Sequence, residues 1–103
     1  MSARITIDHD AIVGFCHRWA VVRFELFGSV LRDDFRPDSD VDVMVSFAPA
    51  ARPTLFDLVE MQDELKAIFG REVDLLTRPG VERSLNQTRR QAILSSAEPL
   101  YVA

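Results

Sequence analysis

The chain has 103 residues, of which 48% are hydrophobic and 27% are charged, the balance of a folded domain rather than of a disordered chain. No apolar run approaches the roughly 18 residues of a membrane span, and the N-terminus has no apolar signal core. The net charge of −4 argues against a general nucleic-acid binder, which needs a basic surface to contact phosphates. We therefore expect one cytoplasmic domain covering residues 1–103, with neither a membrane nor a nucleic acid as its direct partner.

Hydrophobic periodicity, helix caps and turn residues predict seven elements along the chain. In order they are a helix at 8–19, a strand at 21–27, a short helix at 28–33, a strand at 40–47, a helix at 54–69, a strand at 72–77 and a helix at 81–96. This alternation predicts an α/β (α+β) fold with helices packed on a sheet. It fixes neither the strand order nor whether the sheet is parallel or mixed.

Particular residues of the predicted helices indicate where two of the helices begin or end and which faces they bury. Asp8 is placed to cap the first helix, and Gly70 is placed to end the third. The third helix presents one predicted apolar stripe, made of Leu55, Leu58, Val59, Leu65, Ile68 and Phe69. The last helix carries Arg83, Arg89 and Arg90, which form either a basic partner-binding face or an ordinary solvated face.

The second strand carries two carboxylates on one side. Alternation places Val41, Val43 and Val45 on one face and Asp40, Asp42 and Met44 on the other. Asp40 and Asp42 therefore lie within reach of a shared cation, although alternating acids are also typical of a solvent-facing strand surface. Asp74, on the third strand, joins them only if the strand order brings the two strands together.

A phosphate-binding turn precedes this strand. Gly28 allows the backbone to approach a phosphate closely, and Ser29 offers a hydroxyl at a helix start, where N–H groups favour anions. Arg32 and Arg36 follow, and either can meet a phosphate or remain in solvent. Together with the carboxylates, this pattern indicates binding of a magnesium–nucleotide complex, because Mg²⁺ prefers oxygen ligands and shares them with substrate phosphates.

Gly28-Ser29, ten further residues and then Asp40-Val41-Asp42 resemble the signature of the polymerase-β-like nucleotidyltransferase superfamily. The likeness extends over nearly all of the chain and includes the first helix and the segments 26–29, 37–42 and 73–76. It is greatest to the minimal nucleotidyltransferase (MNT) proteins. The resemblance implies the polymerase-β-like fold, in which a small mixed sheet of about three strands is flanked by helices.

The resemblance also implies roles for particular residues. Asp40, Asp42 and Asp74 would be catalytic and would bind Mg²⁺, with Asp74 also helping to activate the acceptor hydroxyl. The nucleotide, ATP, would be bound by Gly28, Ser29, Arg32 and Ser39. Asp33 departs from the pattern, since many relatives have glycine there, and an added acid beside a triphosphate weakens nucleotide binding if it points inwards.

MNT proteins of this size typically act as antitoxins. The resemblance thus implies transfer of AMP from Mg-ATP to a tyrosine of a HEPN-domain RNase toxin, which would be the partner protein. Two alternatives stay open: a module of this fold that inhibits its partner by occlusion alone, and a transferase acting on a small molecule such as an aminoglycoside or on an RNA end. The apolar residues 100–102 suggest a surface buried against a partner.

Overall fold

A computed structural model describes residues 7–31 and 39–103 of the chain. The elements are α1 (His9–Trp19), β1 (Val21–Phe27), a single 3-10 turn (Gly28–Leu31), β2 (Val41–Phe47), α2 (Leu55–Phe69), β3 (Val73–Thr77), α3 (Arg78–Glu82), α4 (Gln87–Ser96) and β4 (Glu98–Val102). The predicted end of the short helix, at residues 32–33, and most of the predicted loop before β2 lie outside the described residues.

The strands form a mixed sheet in the order β3-β2-β1-β4. β1 is antiparallel to both β2 and β4, whereas β2 and β3 are parallel. The mixed sheet flanked by helices is confirmed, with four described strands where about three were expected. β4 is the additional strand, and its Leu100 and Tyr101 pack against the core of this chain. Both side chains are only half-buried, so the expectation that residues 100–102 bury surface against a partner stays a prediction.

Local capping signals fix the ends of the first two helices. The Asp8 side chain accepts a hydrogen bond from the Ala11 N–H at 3.1 Å, so Asp8 is the predicted N-cap of α1. Thr54 and Asp57 form a reciprocal capping box at the start of α2, and Gly70 ends that helix in the left-handed conformation at φ 70°. These boundaries were predictable because each depends on residues adjacent in sequence.

The predicted last helix at 81–96 is divided in two. The Thr77 side chain caps α3 and Pro79 lies in its first turn, where the missing N–H of proline is not needed. A second cap, in which the Asn86 side chain accepts from the Arg89 N–H at 3.0 Å, starts α4. None of the described helices has both the length and the apolarity that crossing a membrane requires.

Helices α1 and α2 cover one face of the sheet with a closed apolar core. Phe15 of α1 meets Phe24 of β1 edge to face, with ring centroids 5.9 Å apart. The predicted inward face of β2 is confirmed, since its alternating valines Val41, Val43 and Val45 are fully buried here. Cys16 also lies in this core, where burial raises the pKa of its thiol from 9.0 to about 12.

The predicted stripe of α2 was wrong in part. Leu55 and Val59 are 81% and 61% exposed, whereas Met61 is fully buried. The stripe that reaches the core consists of Leu58, Met61, Leu65, Ile68 and Phe69. Its centre is rotated away from Leu55 and Val59, which therefore lie on its flank and leave an apolar surface uncovered.

The opposite face of the sheet is covered by α3 and α4. Met44 is fully buried there with Phe27, Val81 and Ile93. The buried Glu25 fixes α3 to β1, because its Oε1 accepts from Arg78 Nη1 at 2.9 Å and lies 3.2 Å from Arg23 Nε. This face holds the alternate residues of β2, including Asp42.

Candidate active site

The two halves of the sequence motif meet where β1 ends. Phe27, the last residue of β1, pairs with Asp42 of β2, and Gly28 follows with φ +75°. A Cβ atom at Gly28 would collide with the Asp42 carboxylate, so the position requires glycine both for its backbone conformation and for this close approach. The backbone of the predicted phosphate-binding turn therefore lies directly against a predicted metal ligand.

Parallel pairing of β2 with β3 brings a second carboxylate to the same place. Asp42 and Asp74 are register partners on neighbouring strands, so their side chains leave the same face of the sheet. Asp42 is half-buried and Asp74 is exposed. Two adjacent carboxylates repel each other, and a cation held between them would relieve that repulsion.

Asp40 is an exposed carboxylate just before β2. Its backbone position is fixed on both sides: Val41 N–H donates to Glu72 O at 3.0 Å, and Arg71 Nη1 donates to Ser39 O at 3.5 Å. Within 7–31 and 39–103, no three His, Cys, Asp or Glu side chains converge on one point that would hold a metal ion. The described site is therefore the register pair with a separate exposed carboxylate next to it.

The donor chemistry fits a magnesium ion. All three candidate ligands offer carboxylate oxygens, and Mg²⁺ usually needs only one or two such ligands because waters and substrate phosphates complete its shell. Asp42 lines the pocket between the Gly28 turn and α4, so part of its side chain is accessible there. Asp42 can thus bind a cation on the side from which a nucleotide phosphate would arrive.

A pocket of about 260 Å³ opens beside Asp42. One wall is formed by Phe27, Gly28 and Asp42, and the other by α4, which contributes Arg89, Ala92, Ile93 and Ser96. Arg89 is exposed, and its guanidinium makes no ion pair with any residue in the described part of the chain. From the sequence, Arg89 was predicted only to lie on a helix face that either binds a partner or is solvated. No local signal shows which strand residues a helix will face.

The remaining predicted nucleotide ligands are placed incompletely. Ser29 is described as backbone only, within the 3-10 turn. Ser39 is half-buried immediately before Asp40, and its carbonyl accepts from Arg71. Arg32, Asp33 and Arg36 lie outside the described residues.

Comparison with known proteins extends this picture. The model of the nucleotidyltransferase domain family matches residues 11–98. Protein adenylyltransferase MntA of Thermococcus cleftensis is 32% identical over 71 residues, which cover 69% of this chain and 70% of that protein. A solved structure named provisionally as a minimal nucleotidyltransferase is 33% identical and has a TM-score of 0.67, covering 88% of this chain and 87% of the other.

A third likeness is to a chain in the structure of a tri-AMPylated HEPN toxin of Shewanella oneidensis in complex with an MNT antitoxin. Its TM-score is 0.62, with coverage of 92% of this chain and 70% of that one. At 20% identity this likeness shows a shared fold. The match over residues 11–98 and the MntA relative show more: this chain belongs to the nucleotidyltransferase domain family and is a nucleotidyltransferase of the minimal type.

Proposed function

We propose that this chain is an antitoxin that transfers AMP from Mg-ATP to a tyrosine of a cognate HEPN RNase toxin and thereby neutralises it. The observation that carries the proposal is the contact of the Gly28 backbone with Asp42, which has Asp74 as its register partner. The relative named a protein adenylyltransferase supports AMP transfer to protein. The fold shared with a complex of an AMPylated HEPN toxin and an MNT antitoxin supports the choice of partner.

In this proposal Asp40, Asp42 and Asp74 hold Mg²⁺, which supplies charge neutralisation to the triphosphate when it is bound. The turn at Gly28 and Ser29 binds the phosphates through its backbone. Nucleotidyl transfer needs alignment and electrostatic stabilisation more than covalent help from the protein, so rigid strand ends are suitable places for these groups.

The acceptor oxygen attacks the α-phosphorus of ATP, and the bond from that phosphorus to the bridging oxygen of the β-phosphate breaks. Pyrophosphate leaves with the electron pair of that bond. Asp74, the exposed member of the register pair, takes the acceptor's proton. Arg32 and Ser39 contact the nucleotide, and Arg89, on the opposite wall of the pocket, pairs with its phosphates.

Intact-mass spectrometry of the co-expressed toxin tests the proposal. After incubation with this chain, ATP and Mg²⁺, we expect the toxin to gain mass in whole AMP units. The Asp40→Asn/Asp42→Asn variant should give no gain, because two of the three proposed Mg²⁺ ligands have lost their charge. Circular dichroism of the variant checks that it is folded.

Each other outcome selects an alternative. No mass gain with either protein, while the variant still protects cells from the toxin, would favour inhibition by occlusion alone. Full transfer by the variant would contradict the assigned carboxylates. Transfer to a small molecule or to an RNA 3′ end, in place of the toxin, would contradict the assigned acceptor.

A further inference from the structure

A second pocket wraps around the free edge of the sheet. It has a volume of about 370 Å³ and is lined by both Leu75 and Leu76 of β3. Consecutive residues of a strand point to opposite faces, so a pocket that contacts both must pass over the strand's outer edge. Among the described strands, β3 is the edge strand in the order β3-β2-β1-β4, and none of them pairs with its outer side.

Uncovered apolar side chains of α2 continue this pocket. Leu55, Phe56 and Val59 are 81%, 83% and 61% exposed. Leu55 and Val59 line a hollow of about 350 Å³ together with Leu58 and Leu75, and these last two also line the pocket at the strand edge. The two hollows therefore adjoin at Leu58 and Leu75, and together, with the exposed residues of α2 that border them, they are here called the edge groove.

The edge groove leads to the active site. Its pocket shares Arg89 and Ile93 with the pocket that contains Gly28 and Asp42. Asp74 is exposed and immediately precedes Leu75 in β3. A polypeptide lying in the edge groove would therefore place its neighbouring residues beside Asp74.

We propose that the edge groove is the docking surface for the acceptor protein, which binds it through an apolar segment adjoining the hydroxyl that receives AMP. This proposal rests on the proposed function and adds the place where the acceptor is recognised. Continuity with the pocket of Asp42 favours an acceptor over a second copy of this chain, because only an acceptor must reach the carboxylates from outside.

The chemistry of the edge groove favours a protein over a nucleic acid. Its walls are mainly apolar, and the two cations that line it, Arg89 and Arg90, lie together on α4. Arg90 is already engaged, since its Nη1 donates to Ser84 O at 3.1 Å. Apolar side chains in such a depression gain from burial against another apolar surface, whereas a nucleic-acid backbone requires several phosphate contacts.

Acceptor kinetics of a surface variant test the proposal. In Leu55→Ser/Phe56→Ser/Val59→Ser, we expect the KM for the toxin in AMP transfer to rise by about tenfold or more, because interface apolar anchors have been removed. The rate at saturating toxin and the Kd for ATP should stay within about twofold of those of the unchanged protein. The substitutions weaken toxin binding equally in the ground state and the transition state, so they affect KM and not the rate of the chemical step. The matched control is Val13→Ser, an exposed position on α1 that lines neither hollow of the edge groove.

An unchanged KM for the toxin would overturn the proposal, as would an equal rise in the Val13→Ser control. A binding measurement keeps it testable if no transfer is found: calorimetric titration of the toxin into Asp42→Asn, with and without the three α2 substitutions. Loss of toxin binding on adding them supports the edge groove independently of catalysis. A change in self-association alone, with toxin binding intact, would make the surface a contact between copies and contradict the proposal.

Discussion

The two faces of the sheet are built for different purposes. The face under α1 and α2 is closed and apolar, with side chains such as Phe15 and Phe24 completely buried. The face under α3 and α4 has a smaller buried cluster around Met44 and also bears charged residues, including Asp42 and Asp74. Buried apolar packing is thus concentrated on one face, and the carboxylates proposed to be reactive lie on the other.

Strand alternation makes this division possible within a small domain. In β2, Val41 and Val43 are fully buried under α1 and α2, while Asp42 between them reaches the other face. A carboxylate is thereby held on a backbone that the opposite face fixes in place. Rigid placement of this kind is what positioning and electrostatic catalysis require.

The largest expected effect is on the closed face. Phe24→Ala removes a fully buried ring and its edge-to-face contact with Phe15, so we expect the free energy of unfolding to fall by about 3–5 kcal/mol. That is a large part of the roughly 5–15 kcal/mol that stabilises a typical domain. Urea denaturation measures the change. A loss below 1 kcal/mol would show that stability does not depend on this face as the comparison claims.

Gly28→Ala tests the end of β1, where the backbone lies against Asp42 on the face covered by α3 and α4. The new Cβ would collide with the Asp42 carboxylate, and the alanine backbone would have to adopt a positive φ. We therefore expect the free energy of unfolding to fall by about 1–3 kcal/mol and AMP transfer to be lost. Chemical denaturation and the transfer assay give the two readouts.

The collision and the backbone strain can be separated in a double-mutant cycle. In an Asp42→Ala background the collision is gone, and Gly28→Ala should then cost only about 1–2 kcal/mol from the left-handed backbone. An equal cost in both backgrounds would mean that the carboxylate does not lie against the turn. The cycle thus measures the contact on which the proposed function depends.

Much of the fold was predictable from local signals. Asp8, Thr54 and Gly70 mark helix ends because each cap is completed by residues within one turn. β4 was not predicted, since Glu98–Val102 is only five residues long, contains a proline and is stabilised by non-local pairing with β1. The break in the last helix was missed for a different reason: the cap residue Asn86 lies inside the predicted range 81–96 and was not recognised as a second helix start.

The candidate site was predictable in its residues and only partly in its geometry. The spacing of Gly28 and Asp42 indicated a phosphate and cation site, and the structure places them in contact. The proximity of Asp74 depends on parallel pairing of β2 with β3, which no periodicity reveals. Arg89 was predicted only as part of an undifferentiated basic face, because its position depends on how α4 crosses the sheet.

The smallest expected effect is that of a substitution at Arg89, which tests only the face of the sheet covered by α3 and α4. Arg89→Gln keeps the length and much of the polarity of the side chain but removes the charge opposite Asp42 in the pocket. If Arg89 pairs with the triphosphate, the KM for ATP should rise by about tenfold, because the loss of one charged hydrogen bond weakens binding by about that factor. The free energy of unfolding should not change.

Arg83→Gln provides the matched control, because Arg83 is also exposed but does not line the pocket that contains Gly28 and Asp42. Steady-state transfer rates at varied ATP and fixed, saturating toxin distinguish the two positions. An equal rise in both variants would indicate only a general loss of positive charge. A rise in the KM for toxin with ATP binding intact would instead assign Arg89 to the edge groove. Arg89 lines both pockets, so the same kinetic measurements can detect either outcome.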